Sequence, residues 1–162
     1  PHGILFRGGT EGKIRSGLLK DDRIEAVIGL ASNLFYGTGI PACVLVINND
    51  KPADRKGKVL IVNGAEEFQE GKNQNTLAEE NVKKLADAYL EYQDVERFCR
   101  VVELSEIEEN DYNLNIDRYV QITEPEPPID VEEELKILRD LQSERDQAES
   151  KMMEYLVELG YE

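Results

Sequence analysis

Arg23-Ile24-Glu25-Ala26-Val27-Ile28-Gly29-Leu30 alternates polar and apolar side chains and then runs continuously apolar, the pattern of a strand entering a buried sheet. After a loop over residues 31–41, Ala42-Cys43-Val44-Leu45-Val46-Ile47-Asn48 is the most apolar run in the chain. It is short and β-branched, and reads as a central strand. The polar turn 49–57 is too short for a crossover helix, so Lys58-Val59-Leu60-Ile61-Val62-Asn63 reads as a further strand antiparallel to its predecessor. Strands set among helical periodicities give an α/β fold class.

Upstream, Ile4-Leu5-Phe6 before Arg7-Gly8-Gly9 reads as the last residues of a buried strand and a turn. Thr10 is placed to cap a helix through Lys20, with Ile14, Leu18 and Leu19 facing inward. A chain that starts at Pro1, inside an apparent strand end, reads as a piece of something longer. Downstream, Thr76 and Glu79 have the spacing of a capping box for a helix reaching about Gln93, with Val82, Leu85, Ala86, Tyr89 and Leu90 as its apolar stripe. Val101-Val102 is a short strand candidate, residues 104–109 a short helix, and residues 111–116 alternate polar and apolar.

Glu124-Pro125-Glu126-Pro127-Pro128 is a stiff acidic linker and the clearest boundary within the chain. The expected organisation is a domain over 1–120, a linker over 121–130 and a helix over 131–162. In that helix Val131, Leu135, Leu138, Leu141, Ala148, Met152, Tyr155, Leu156 and Leu159 recur every three to four residues. Gln142, Arg145 and Glu149 interrupt a strict heptad seam, which favours a helix docking into a partner's bundle over an independent two-stranded coiled coil. A helix folding back on its own domain is the other reading.

The 162 residues carry a net charge of −15, a poor starting point for gripping DNA phosphates unaided. The charge is uneven: residues 1–60 hold nine basic and six acidic side chains, and both later segments are strongly acidic. Any anion-facing surface therefore belongs to the first third, with Arg7, Lys13 and Arg15 as its candidates. Cys43 and Cys99 lack the spacing of zinc or redox pairs and suit a reducing cytosol, and no run of about 18 apolar residues could span a membrane.

Most motifs for chemistry fail on inspection. Gly8-Gly9-Thr10-Glu11-Gly12-Lys13 is not a phosphate loop, because Arg7 stands where the first glycine is needed and Ile14 where Ser or Thr is needed. His2 is the only histidine and reads as structural, since no nucleophile elbow accompanies it. No metal loop is present, and Glu106, Glu108, Glu109 and Asp111 read as a solvated acidic face. Leu34-Phe35-Tyr36-Gly37-Thr38-Gly39-Ile40-Pro41 remains: two aromatics, a hydroxyl and two glycines at a strand end, the usual ligand position of an open α/β sheet. The rings could stack on a planar ligand or merely cover the sheet end, and the residues alone leave both open.

Pro1-His2-Gly3-Ile4-Leu5-Phe6-Arg7-Gly8-Gly9, Ile24 to Leu30, and Asn33-Leu34-Phe35-Tyr36-Gly37-Thr38-Gly39-Ile40-Pro41-Ala42-Cys43, followed by Gly71-Lys72-Asn73-Gln74-Asn75 and Asn110-Asp111-Tyr112-Asn113-Leu114-Asn115-Ile116 with Arg118-Tyr119-Val120, resemble in that order the methylase subunit of type I restriction-modification systems. The resemblance implies the C-terminal half of a Rossmann-like methyltransferase sheet that carries methyl groups from S-adenosylmethionine to adenine N6 in DNA. The family's glycine-rich cofactor motif and its Asn-Pro-Pro-Phe/Tyr catalytic motif are absent, since no Asn-Pro occurs. The piece is therefore expected to bind no cofactor, to contain no catalytic residue and to be inactive alone.

By the same resemblance residues 1–6 end the fifth strand, residues 24–29 and 42–48 form the next two, and the last of these is the reversed strand. Phe35, or failing it Tyr36, with Gly37, Thr38 and Gly39, would wall the pocket of a flipped adenine. The resemblance further implies a specificity subunit and a restriction subunit as partners in the cytoplasm, with DNA reached through the complex. Leu135, Leu138, Leu141, Met152, Tyr155 and Leu159 would dock on the specificity subunit. An isolated piece should expose an unpaired sheet edge and self-associate.

Overall fold

The computed structural model describes residues 1–122 and 131–161, which fall into two compact units, Pro1–Glu124 and Pro125–Glu162. The acidic proline linker expected over residues 124–128 lies outside the described residues.

The first unit is built on a mixed sheet of β1 (Ile24–Leu30), β2 (Cys43–Ile47), β3 (Lys58–Gly64) and β4 (Cys99–Glu103), in the order β2-β1-β3-β4. β1 pairs antiparallel with β2 and parallel with β3, while β3 and β4 are antiparallel. Helices α1 (Gly9–Lys20), α3 (Leu104–Glu109) and α4 (Ile116–Tyr119) contribute Leu19, Ile107, Ile116 and Tyr119 to one face, against Ile24, Val27, Val59, Ile61 and Val102. Helix α2 (Glu79–Glu91) brings Leu85 and Ala88 to the other, against Ala26, Leu60, Val62 and Cys99. Strict alternation would place Ile24 and Val27 on opposite faces. A register shift between Ile24 and Ala26 inserts an extra residue and turns both inward, as a bulge does.

The strands lie where their hydrophobic periods place them, but their pairing differs from the expectation. β2 is an edge strand, not a central one, and Val44 and Ile47 are exposed. β3 runs opposite to β2 as expected, yet it pairs with β1, because residues 48–57 carry the chain past the start of β1 to its far side.

Residues 2–5 form a single 3-10 turn instead of a strand end. Their carbonyls are claimed outside any strand ladder: Arg15 donates to Ile4 O at 2.6 Å, the Arg7 and Phe6 amides donate to Gly3 O, and the Leu114 amide donates to Leu5 O at 2.9 Å. Helix α1 starts two residues early, capped at Gly8 in place of Thr10, with Gly9 at φ 66°, a conformation suited to glycine, so Thr10 lies inside its first turn. Thr76 does not cap α2. Its backbone exchanges two hydrogen bonds with Gln69, and α2 begins after Ala78, whose amide donates to Asn81 Oδ1 at 3.0 Å.

The crossing over residues 48–57 is fastened by charge. Glu25, 1% exposed, accepts from Asn48 Nδ2 at 2.8 Å and from Arg55 at 2.9 Å. The Arg55 guanidinium lies 4.3 Å from the Tyr92 ring centre and 5.4 Å from that of Tyr89. Buried Lys51 donates to Asp22 at 2.6 Å, and the other Asp22 oxygen takes the Gly57 amide. At the opposite edge β4 is closed: Val101 donates to Asp94 at 2.7 Å and Cys99 pairs with Val95.

The second unit holds α5 (Val131–Glu158), 28 residues and about 42 Å at 1.5 Å per residue. Most of its apolar residues are exposed, Leu135 at 45%, Leu138 at 50% and Tyr155 at 54% among them, while Leu156 is partly covered. None of the described helices is long and apolar enough to cross a membrane.

Burial pushes the Glu25 carboxyl up, but hydrogen bonds from Asn48, Arg55 and Tyr89, with the Arg55 charge, outweigh it and hold the group below its ordinary 4.5. Folding therefore gains from this group fully above the ordinary value and loses the gain as pH falls through the lowered one. In urea titrations from pH 7 to pH 3, the acid-side loss of stability should be shallower in Glu25→Gln than in the parent chain, and equal slopes would remove this account. Because one partner of a buried pair is lost, Glu25→Gln should also be less stable at pH 7 by about 3 kcal/mol.

Candidate functional site

The parallel strands β1 and β3 end together, and the loop 31–41 leaves from the carboxyl end of β1. Its return is fixed by Leu30, whose amide donates to Ala42 O at 2.9 Å, and by His2, whose amide donates to Pro41 O at 3.1 Å. Between these anchors Phe35 and Thr38 form an isolated bridge around Tyr36 and Gly37, and Gly37 takes φ 76°. Thr38 Oγ1 accepts the Ile40 amide at 3.1 Å, which braces the turn and leaves the hydroxyl proton free to donate.

This turn brings Phe35, Tyr36, Gly37, Thr38 and Gly39 together as one tip, and all five are exposed. Phe35 is 53% exposed and Tyr36 97%. Such exposure does not suit rings that merely cover the sheet end. It leaves two aromatic faces available for stacking at the ligand end of the sheet.

The stem of the loop is held from Gln74 and Asn75, which the sequence does not mark as part of the site. Three successive carbonyls, of Ser32, Asn33 and Leu34, accept from Asn75 Nδ2 at 3.0 Å, the Asn75 amide at 2.9 Å and Gln74 Nε2 respectively. The sequence signal was a cluster of amide side chains, Asn73-Gln74-Asn75, in an otherwise undistinguished polar loop.

The basic candidates separate. Arg7 and Lys13 are exposed. Arg15 is 8% exposed, and its guanidinium donates to the carbonyls of Tyr112 at 2.8 Å, Ile4 at 2.6 Å and Arg7 at 3.0 Å. A guanidinium so occupied ties α1 to two backbone segments and has little left for a phosphate, which corrects the expectation for this residue.

His2 lies beside the same strand ends. Its Nε2 is buried without a hydrogen-bond partner among the described residues, and burial lowers its pKa against the opposing pull of the Ala42 carbonyl and Asp117. Asn63, at the end of β3, donates to Val120 O at 3.1 Å. Among the described residues no group of three or more His, Cys, Asp or Glu side chains could hold a metal ion.

The family model for N-6 DNA methylase matches residues 1–127. The MjaVII type I restriction enzyme methylase subunit of Methanocaldococcus jannaschii is 41% identical over 95% of this chain. The chain spans about a quarter of the length of such curated relatives, 27% in that case. Among solved structures, the type I restriction-modification methyltransferase subunit of Streptococcus thermophilus superposes with a TM-score of 0.70 at 42% identity, over 75% of this chain and 25% of that one. A chain from a structure of the type I R-M system aligns with 98% of this chain and 34% of its own length at a TM-score of 0.58 and 18% identity, a likeness of fold.

If the two rings do not pack into the sheet end, removing them should leave folding nearly intact. Phe35→Ala and Tyr36→Ala should each shift the unfolding free energy by less than about 0.5 kcal/mol in denaturant titrations. A loss of about 2 kcal/mol or more would return them to a covering role.

Proposed function

The chain belongs to the N-6 DNA methylase family, and from that premise we propose that it is the C-terminal part of a type I restriction-modification methylase subunit. The whole protein would transfer a methyl group from S-adenosylmethionine to N6 of adenine in DNA. The observation that carries this reading is the exposed aromatic tip at the carboxyl end of the parallel strands, in a chain 41% identical to such a subunit over nearly its whole length.

In this reading the contacts to S-adenosylmethionine are assigned to other parts of the whole protein. The glycine-rich and Asn-Pro-Pro motifs that would supply cofactor and amine contacts are absent from the sequence. The role assigned to these residues is therefore binding and orientation.

An adenine inside a duplex is out of reach, so it must leave the stack, and an aromatic face at the receiving end offsets part of the lost stacking. Phe35, half exposed and braced by its bridge to Thr38, is placed for that contact, with Tyr36 beside it. Arg7 and Lys13 are the cations left free to meet phosphate. In the full-length protein Phe35→Ala should lower DNA methylation about ten- to hundredfold, the worth of one stacked base, with cofactor affinity unchanged. Unchanged turnover would sink the assignment.

A second reading, from a different class, rests on α5. A 28-residue helix without a buried residue, carrying Leu135, Leu138, Leu141, Met152 and Tyr155 exposed, with Leu159 exposed in the turn just after it, suits an assembly element that docks on a long-helix specificity subunit. Deletion of residues 131–162 should abolish co-purification with that subunit and leave the fold of residues 1–122 unchanged by circular dichroism. Full retention of the partner would overturn it.

A further inference from the structure

The tip 35–39 does not hold its own position. Between Ala31 and Phe35 the chain has left β1 and not yet reached β2, so the carbonyls of Ser32, Asn33 and Leu34 have no strand to bond to. All three find their donors in Gln74 and Asn75. One backbone amide and two side-chain amides thus replace a ladder over three consecutive residues.

The donors are themselves rigidly presented. Gln69 and Thr76 close a small hairpin with hydrogen bonds of 2.8 and 2.9 Å. Inside it the Gln74 carbonyl lies 2.1 Å from where a Cβ on Gly71 would sit, so the turn tolerates only glycine there without rearranging. The base of the hairpin is tied down twice: Glu67 donates its amide to Gly64 O at 3.1 Å at the end of β3, and its carboxylate accepts from Asn81 at 3.3 Å and from Lys84 on α2. The position of the aromatic tip is therefore set by the connection between β3 and α2.

We propose that Gln74 and Asn75 are positioning residues for methyl transfer, acting as an amide clamp that fixes the height and angle at which Phe35 and Tyr36 meet the flipped base. Neither touches the base. The inference rests on the reading of Phe35 and Tyr36 as the base wall, and it adds the group that holds the wall in place. A misplacement near 1 Å at such a wall costs rate and not folding, because the reacting amine must be presented at a fixed geometry.

The test uses the full-length methylase assembled with its specificity subunit, and compares Gln74→Glu, Asn75→Ala and Phe35→Ala. Gln74→Glu keeps size and shape but cannot donate when ionised, so the Leu34 carbonyl loses its partner. Amide exchange at position 75, whose N–H donates to the Asn33 carbonyl, and at Thr38 and Ile40 in the tip should become about five- to tenfold faster in Gln74→Glu and in Asn75→Ala, with β1 and β3 unchanged. Turnover should fall on the order of tenfold while cofactor affinity stays the same, and 2-aminopurine at the target position should show less flipped-base fluorescence. Unchanged exchange in both variants overturns the clamp. Faster exchange with unchanged turnover, where Phe35→Ala is impaired, overturns the positioning role. If Phe35→Ala is itself unimpaired, the base-wall reading fails, and faster exchange still establishes the clamp as a device of the fold.

Discussion

β1 spends its backbone on two neighbours of opposite sense, β2 antiparallel on one side and β3 parallel on the other. Sequential strands joined by a short turn would ordinarily pair with each other, so this arrangement requires residues 48–57 to cross the mouth of β1. A crossing over the end of a strand threatens to bury polar backbone without partners. Here it is furnished with a buried carboxylate, Glu25, that holds Asn48 and Arg55, and with an Asp22–Lys51 pair that fixes the turn's middle. The opposed order of β2 and β3 follows, and with it the junction of β1 and β3 from which the aromatic loop leaves.

Strand and helix segments were readable because their apolar period is local. Val59 and Ile61 against Leu60 and Val62 divide cleanly between the two faces. Pairing was not readable, because the run at β2 looks equally apolar at an edge or in the middle, and only the crossing decides. The same limit explains Thr76, whose spacing to Glu79 suits a cap but whose backbone was taken by Gln69. Arg15 misled for a related reason: a positive charge in a basic segment looks like a surface cation until three carbonyls converge on it.

The candidate site was readable in part. Two adjacent aromatics between glycines in a loop announce themselves, since burial alone gives no cause to place them there. Their support was signalled only by the amide cluster Asn73-Gln74-Asn75, whose target was not readable because Gln74 and Asn75 lie some forty residues away and act on carbonyls that any sequence would possess. Side-chain amides that grip backbone leave no covariation of charge or size for a single sequence to display.

The sheet also treats its two margins differently. β4 is sealed by Asp94 and Val95, while β2 has a strand on one side only among the described residues. A molecule with one adhesive margin is a terminator in the geometry of assembly. Pairing β2 with β2 through a two-fold axis uses both open margins and closes at two copies. A sheet open at both sides could propagate as a fibre; among the described residues β4 has partners for Cys99 and Val101 on its outer side, which leaves β2 as the freer margin for pairing.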